Sequence, residues 1–112
     1  MPLTYQTDMA PIDPIHQNLQ TLAVAVGAAK DHARTLLERF ERQGDARTGR
    51  SSAVYLALVV MHERLLAADP PPVAHFIPDL KHLSRSCSTK LASVQPLIDA
   101  ALAVARGGPD QP

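Results

Sequence analysis

Residues 14–43 read PIHQNLQTLAVAVGAAKDHARTLLERFERQ, and this stretch decides the fold. Ile15, Leu19, Leu22, Val26, Ala29, Ala33, Leu36 and Phe40 follow one another at alternating steps of four and three. That spacing lays one narrow apolar stripe along an α-helix, the pattern of a helix that buries one face against other helices. The ends are marked as well. Asp13 can cap free backbone N–H groups, Pro14 suits a first helical position because its missing N–H has no partner to lose, and Gly44 stops the helix. Arg39 and Arg42 fall near the negative end of the helix dipole. Thirty residues at 1.5 Å each give a rod of about 45 Å. From Leu22 to Ala29 the segment is apolar almost all round, which predicts cover on more than one side. Gly27 inside it permits close approach of a neighbour.

Downstream, Gly44–Arg50 reads as a polar turn, with Ser51 or Ser52 capping a second helix. Val54, Leu58, Met61, Leu65 and Ala68 repeat the four-three spacing, with Tyr55, Val59, His62 and Leu66 as a row beside them. Asp69 before Pro70, Pro71 and Pro72 ends this helix, and residues 70–78 read as a stiff extended connection. Pro78 and Asp79 open a third helical region whose buried side is Leu80, Leu83, Cys87, Val94, Leu97, Ala101 and Val104. Pro96 should kink or split it, and the Ser-rich run Ser84–Thr89 is a second weak point. Gly107, Gly108 and Pro109 close the structure.

The expected architecture is all-α: an antiparallel three- or four-helix bundle with a long N-terminal helix. Residues 1–12 form a flexible arm, 13–106 the bundle and 107–112 a tail. A chain of 112 residues holds one such domain. At 46% hydrophobic but only 4% aromatic, its core must be built from Ala, Leu and Val. Eleven basic and eleven acidic residues give no net charge, so no global field draws the chain to nucleic acid or an anionic membrane, and little repulsion opposes self-association. No apolar run is long enough to span a bilayer and no secretion signal is visible. The single cysteine, Cys87, rules out an internal disulfide and fits a reducing cytoplasm. The Ala, Arg and Pro usage suggests a GC-rich bacterial genome.

Three groups of residues bear on chemistry. In His82-Leu83-Ser84-Arg85-Ser86-Cys87-Ser88, His82 lies off the buried stripe, Arg85 one turn on could balance a phosphoryl charge, and Ser86 leaves room for a partner. These seven residues resemble the histidine phosphotransfer motif, whose members carry Lys and Gly where Arg85 and Ser86 stand. The resemblance implies a phospho-accepting His82 with Arg85 and Ser86 in support. His75, His82 and Cys87 do not share a helix face, so no metal site or cofactor is expected from them. Cys87 reads as a small core residue, and His62 as a core-edge group bonding a backbone atom. Arg42, Arg47 and Arg50 form a small basic patch about the first turn, without the aromatics or recognition helix that nucleic-acid binding needs.

The function expected is therefore non-enzymatic: a small bacterial protein-interaction module, such as an adaptor, chaperone or regulatory subunit. Its contacts would be made by Leu19, Leu22, Val26, Ala29, Ala33, Leu36 and Phe40 on the first helix and Val54, Leu58, Met61 and Leu65 on the second. The first helix outruns the second, so the rest of its stripe is covered either by the third helical region or by a second copy or another protein, with a homodimer expected for any seam left uncovered. Phosphotransfer through His82 and ligand or metal binding inside the bundle are the alternatives.

Overall fold

The computed structural model describes residues 14–107, with side chains from Asn18 onward. The expected arm over 1–12, the Asp13 cap and the tail from Gly108 lie outside the described residues. Four α-helices are present among those residues, with no strand: α1 (Pro14–Gln43), α2 (Thr48–Leu65), α3 (Ile77–Cys87) and α4 (Gln95–Ala105), plus a 3-10 turn at Val73–Phe76. The all-α bundle is as expected. Helix α1 has the expected ends, and Gly44 stops it with φ +63°, a left-handed backbone that costs glycine nothing.

Helix α2 begins three residues before its expected caps. The Asp45 carboxylate accepts hydrogen bonds from the Arg47 backbone N–H at 2.8 Å and the Arg47 guanidinium at 2.8–2.9 Å. The Thr48 hydroxyl and backbone N–H both donate to the Asp45 carbonyl, at 2.7 and 3.1 Å. This side-chain-to-backbone turn fixes the entry into the helix, so neither Ser51 nor Ser52 is a cap. The helix ends at Leu65, where the Leu66 N–H is shared between the His62 and Glu63 carbonyls, ahead of the proline run.

The connection over 70–78 is not extended throughout. Val73–Phe76 winds into a 3-10 turn because Phe76 must reach the core, where it is the largest fully buried side chain. The third region is two helices. Pro96 cannot sit inside a helix, since it would clash with the carbonyl four residues back, and instead takes the second position of α4. Between them the chain turns, with the Leu91 N–H donating to the Cys87 carbonyl and the Val94 N–H to the Leu91 carbonyl. The Ser84 hydroxyl donates to the Asp99 carboxylate at 2.5 Å and pins α3 to α4.

Helix α1 is the spine. Helices α2 and α4 both pack on it, α3 packs on α4, and the 3-10 turn meets α1, α3 and α4. The core runs through Leu22, Val26, Ala29, Leu58, Phe76, Leu80, Val94 and Ile98, all essentially without exposed surface. Because α4 folds back along α1, every stripe member from Leu22 to Phe40 is buried within the single chain. Of the two covers open for this stripe, the third region is the one present: the break between Cys87 and Gln95 supplies the covering helix, and no part from Leu22 to Phe40 is left for a second copy. The apolar centre of α1 has cover on most of its circumference, with Val24 left 74% exposed.

Candidate interaction surface

Helix α2 is apolar on two opposite faces. From Ser51 to Met61 it has no charged residue. The inner row Ser51, Val54, Leu58, Met61 and Leu65 is buried against the bundle. At 100° per residue, Gly49, Ala53, Leu56, Val60 and Glu63 lie on the opposite side, again at alternating steps of four and three. All five are exposed, and Leu56 and Val60 are each 55% exposed. Full burial of a Leu or Val side chain contributes roughly 1.5–3 kcal/mol, so two of them one turn apart leave part of that gain unused. A contiguous apolar face of this kind marks a contact surface, where scattered single residues do not.

Beside this stripe lies an open groove of about 340 Å³, because α2 and α3 both lean on the rest of the bundle and touch each other sparsely. Ala57, Val60, Met61, Phe76 and Leu83 line its floor and sides; Arg64, Asp79 and His82 form its polar rim. Arg64 is fixed by His75, 2.8 Å from its guanidinium, and by the Phe76 ring, 5.7 Å from its carbon. His75 meets Phe76 edge-on at 5.6 Å.

The interface residues expected from the sequence are internal. Leu22, Val26, Ala29, Ala33, Leu36, Phe40, Val54, Leu58, Met61 and Leu65 hold the helices of one chain to each other, and Leu19 is half-buried at the same core's edge. His82 and Arg85 are exposed and Ser86 is half-buried. Asp79 lines the same groove as His82, so its carboxylate would oppose a phosphoryl group there. His75, His82 and Cys87 are not brought together: one is bound to Arg64, one edges the groove and one is in the core. Among the described residues no group of three His, Cys, Asp or Glu is placed to hold a metal ion. Burial pushes the Cys87 thiol up to about 11, which keeps it protonated and unreactive.

His62 does edge the core, but its partner is a side chain: Lys30 Nζ lies 3.2 Å from Nδ1. Burial first, then the Lys30 charge, holds this histidine below its ordinary value. The basic patch is also redrawn. Arg50 donates to the Ser86 carbonyl at 3.3 Å. Arg47 pairs with Asp45 and stacks 4.4 Å above the Phe40 ring, and these bonds drop the Asp45 carboxyl to about 2. The cleft beside Arg47 gains Arg39 and Lys90, not Arg42.

No protein family, no characterised protein and no solved structure matches this chain. No helix among the described residues is long and apolar enough to cross a membrane.

Proposed function

We propose that this chain is a non-enzymatic helical protein-interaction module of the bacterial cytoplasm, of the adaptor, chaperone or regulatory-subunit kind, and that α2 carries its contact surface. The carrying observation is the outward stripe of α2, with Leu56 and Val60 exposed while the inward row already fills the core. A helix that needed only to pack on α1 would carry polar residues at these outward positions. The groove alongside widens the surface and offers an apolar floor with a charged rim, the usual anatomy of a protein contact.

The test is a photo-cross-linking residue at position 56, expressed in the source organism, with the same residue at the exposed position Glu38 on α1 as control. A discrete adduct at 56 that is absent at 38 is the expected result. Irradiation that yields no adduct at 56 would overturn the proposal.

A further inference from the structure

We infer that the outward face of α2 is covered by the same face of a second copy of this chain, laid antiparallel, with Leu56 and Val60 of both protomers around a two-fold axis. This rests on the contact surface proposed above and names its occupant.

The stripe has the symmetry such a pairing needs. Its members Ala53, Leu56, Val60 and Glu63 follow at steps of three, four and three, which read the same in both directions. A two-fold axis at the level of Leu58, perpendicular to the helix, therefore sets each of these four against another of them. Leu56 faces Val60 and Ala53 faces Glu63. An interface between identical chains about a two-fold axis must be self-complementary in this way, whereas a foreign helix imposes no such condition. Ala53 is small and stands opposite Glu63, so it leaves room for that side chain while the centre is filled by two Leu–Val contacts.

Charge favours the same arrangement. Glu63 is the stripe's single charge, and it has no ion pair within the chain among the described residues. Antiparallel pairing sets its carboxylate level with Ala53 in the N-terminal half of the partner helix, and well away from the partner's own Glu63. Ser52 lies at the same level on the same edge, with a hydroxyl able to donate to it. Parallel pairing would instead set two Glu63 side chains together and align the dipoles. With eleven charges of each sign, the chain adds no net repulsion.

Size sets the strength. The helix is about 27 Å long and the contact strip about 10 Å wide, less than a standard interface. The dimer is therefore reversible and depends on concentration.

The test uses the full chain. Leu56→Cys and Val60→Cys proteins of distinguishable mass are mixed under mild oxidation; the buried Cys87 leaves the wild type as the uncross-linked control. The mixed disulfide should exceed either self-disulfide several-fold. In parallel, the wild-type mass measured by light scattering should rise from one chain toward two with concentration, and Leu56→Asp should stay at one with unchanged helicity. Self-disulfides in excess would overturn the antiparallel arrangement. A single-chain mass up to about 1 mM, together with cross-links from position 56 to a different protein in cells, would overturn the second copy and leave the contact surface standing. No cross-link of any kind would overturn both.

Discussion

Helices α1 and α2 are built on the same four-three spacing, yet the spacing meets opposite fates in them. In α1 the repeat from Leu22 to Phe40 is buried by the chain's own α2 and α4, and the far side carries Arg34, Glu38, Glu41 and Arg42. In α2 one repeat faces the bundle and a second faces water. The inner row of α2 even spends a position on a buried serine, while the outer row exposes a leucine and a valine. The periodicity shows that a face needs cover; the tertiary arrangement decides whether the same chain supplies it. A face left uncovered by its own fold is where function is to be sought.

The comparison breaks most easily on α2 itself. Leu58 and Leu56 are two residues apart, one fully buried and the other mostly exposed. Leu58→Ala should cost about 2–5 kcal/mol, through lost transfer energy and the cavity left against α1. Leu56→Asp should stay within about 0.5 kcal/mol. Urea unfolding of both variants at low concentration, where self-association does not contribute, would measure the contrast. Equal losses would mean that the outer row belongs to the fold after all.

Why the sequence yields one row and hides the other follows from its residues. The long helix is legible because Pro14 and Gly44 mark its ends and polar residues flank its stripe. The split after Cys87 is legible through Pro96, whose missing N–H and ring clash forbid a helix interior. The outer row of α2 is hidden because Val54–Met61 is apolar at every position, so any row drawn through it looks buried. Its ends are Gly49, Ala53 and Glu63, none of which reads as an anchor. The low amphipathicity of the whole helix was the available signal. The Asp45 turn and the 3-10 turn holding Phe76 depend on side-chain bonds and tertiary burial that residue spacing does not encode. The cleft near Arg47 is formed by Lys90 from a turn about forty residues on in the chain, which no local pattern announces.

Ser51 offers a second contrast. Its hydroxyl is buried on the inner row with no hydrogen-bond partner. A polar group in that position costs about 1–3 kcal/mol relative to a paired one. Ser51→Ala removes it without changing the backbone, and alanine is also the better helix former. The variant should be more stable by about 1 kcal/mol, read as a higher urea midpoint with an unchanged slope. The outer Ala53→Ser, where water can pair with the hydroxyl, should lose no more than about 0.5 kcal/mol.

The seam between α1 and α2 can be tested at Gly27, where an added Cβ would stand 3.1 Å from Nε2 of His62. That ring is tethered by Lys30 and cannot yield without loosening its bond. Gly27→Ala gains about 1 kcal/mol of helix propensity and loses a comparable amount at the ring, so its net effect should be near zero. In a His62→Ala background the obstruction is gone, and the same change should stabilise by close to 1 kcal/mol. The coupling in this double-mutant cycle measures how closely the two helices approach.

The same histidine gives the smallest effect and the cleanest sign. Neutral His62 accepts at Nδ1 from the Lys30 ammonium; once protonated it has no lone pair there and sets a second positive charge 3.2 Å away. Burial is the larger reason its proton affinity is lowered, with Lys30 next; Asp31 and Glu63 pull the other way by less. The unfolded chain therefore binds this proton more readily than the folded one. The stabilisation is complete above the ordinary value of 6.5 and is lost as pH falls through the lower folded value. Asp45 does not confuse the result, because its transition between 3.8 and about 2 lies below that range. Between about pH 7.5 and about pH 5.5 the wild type should lose more stability than His62→Gln does. Equal losses in the two proteins would mean that the seam does not sense this proton. The outward stripe contains no histidine. Its self-association should therefore change less across the same interval than the inner seam, since His62 reaches it only through the charge of Glu63.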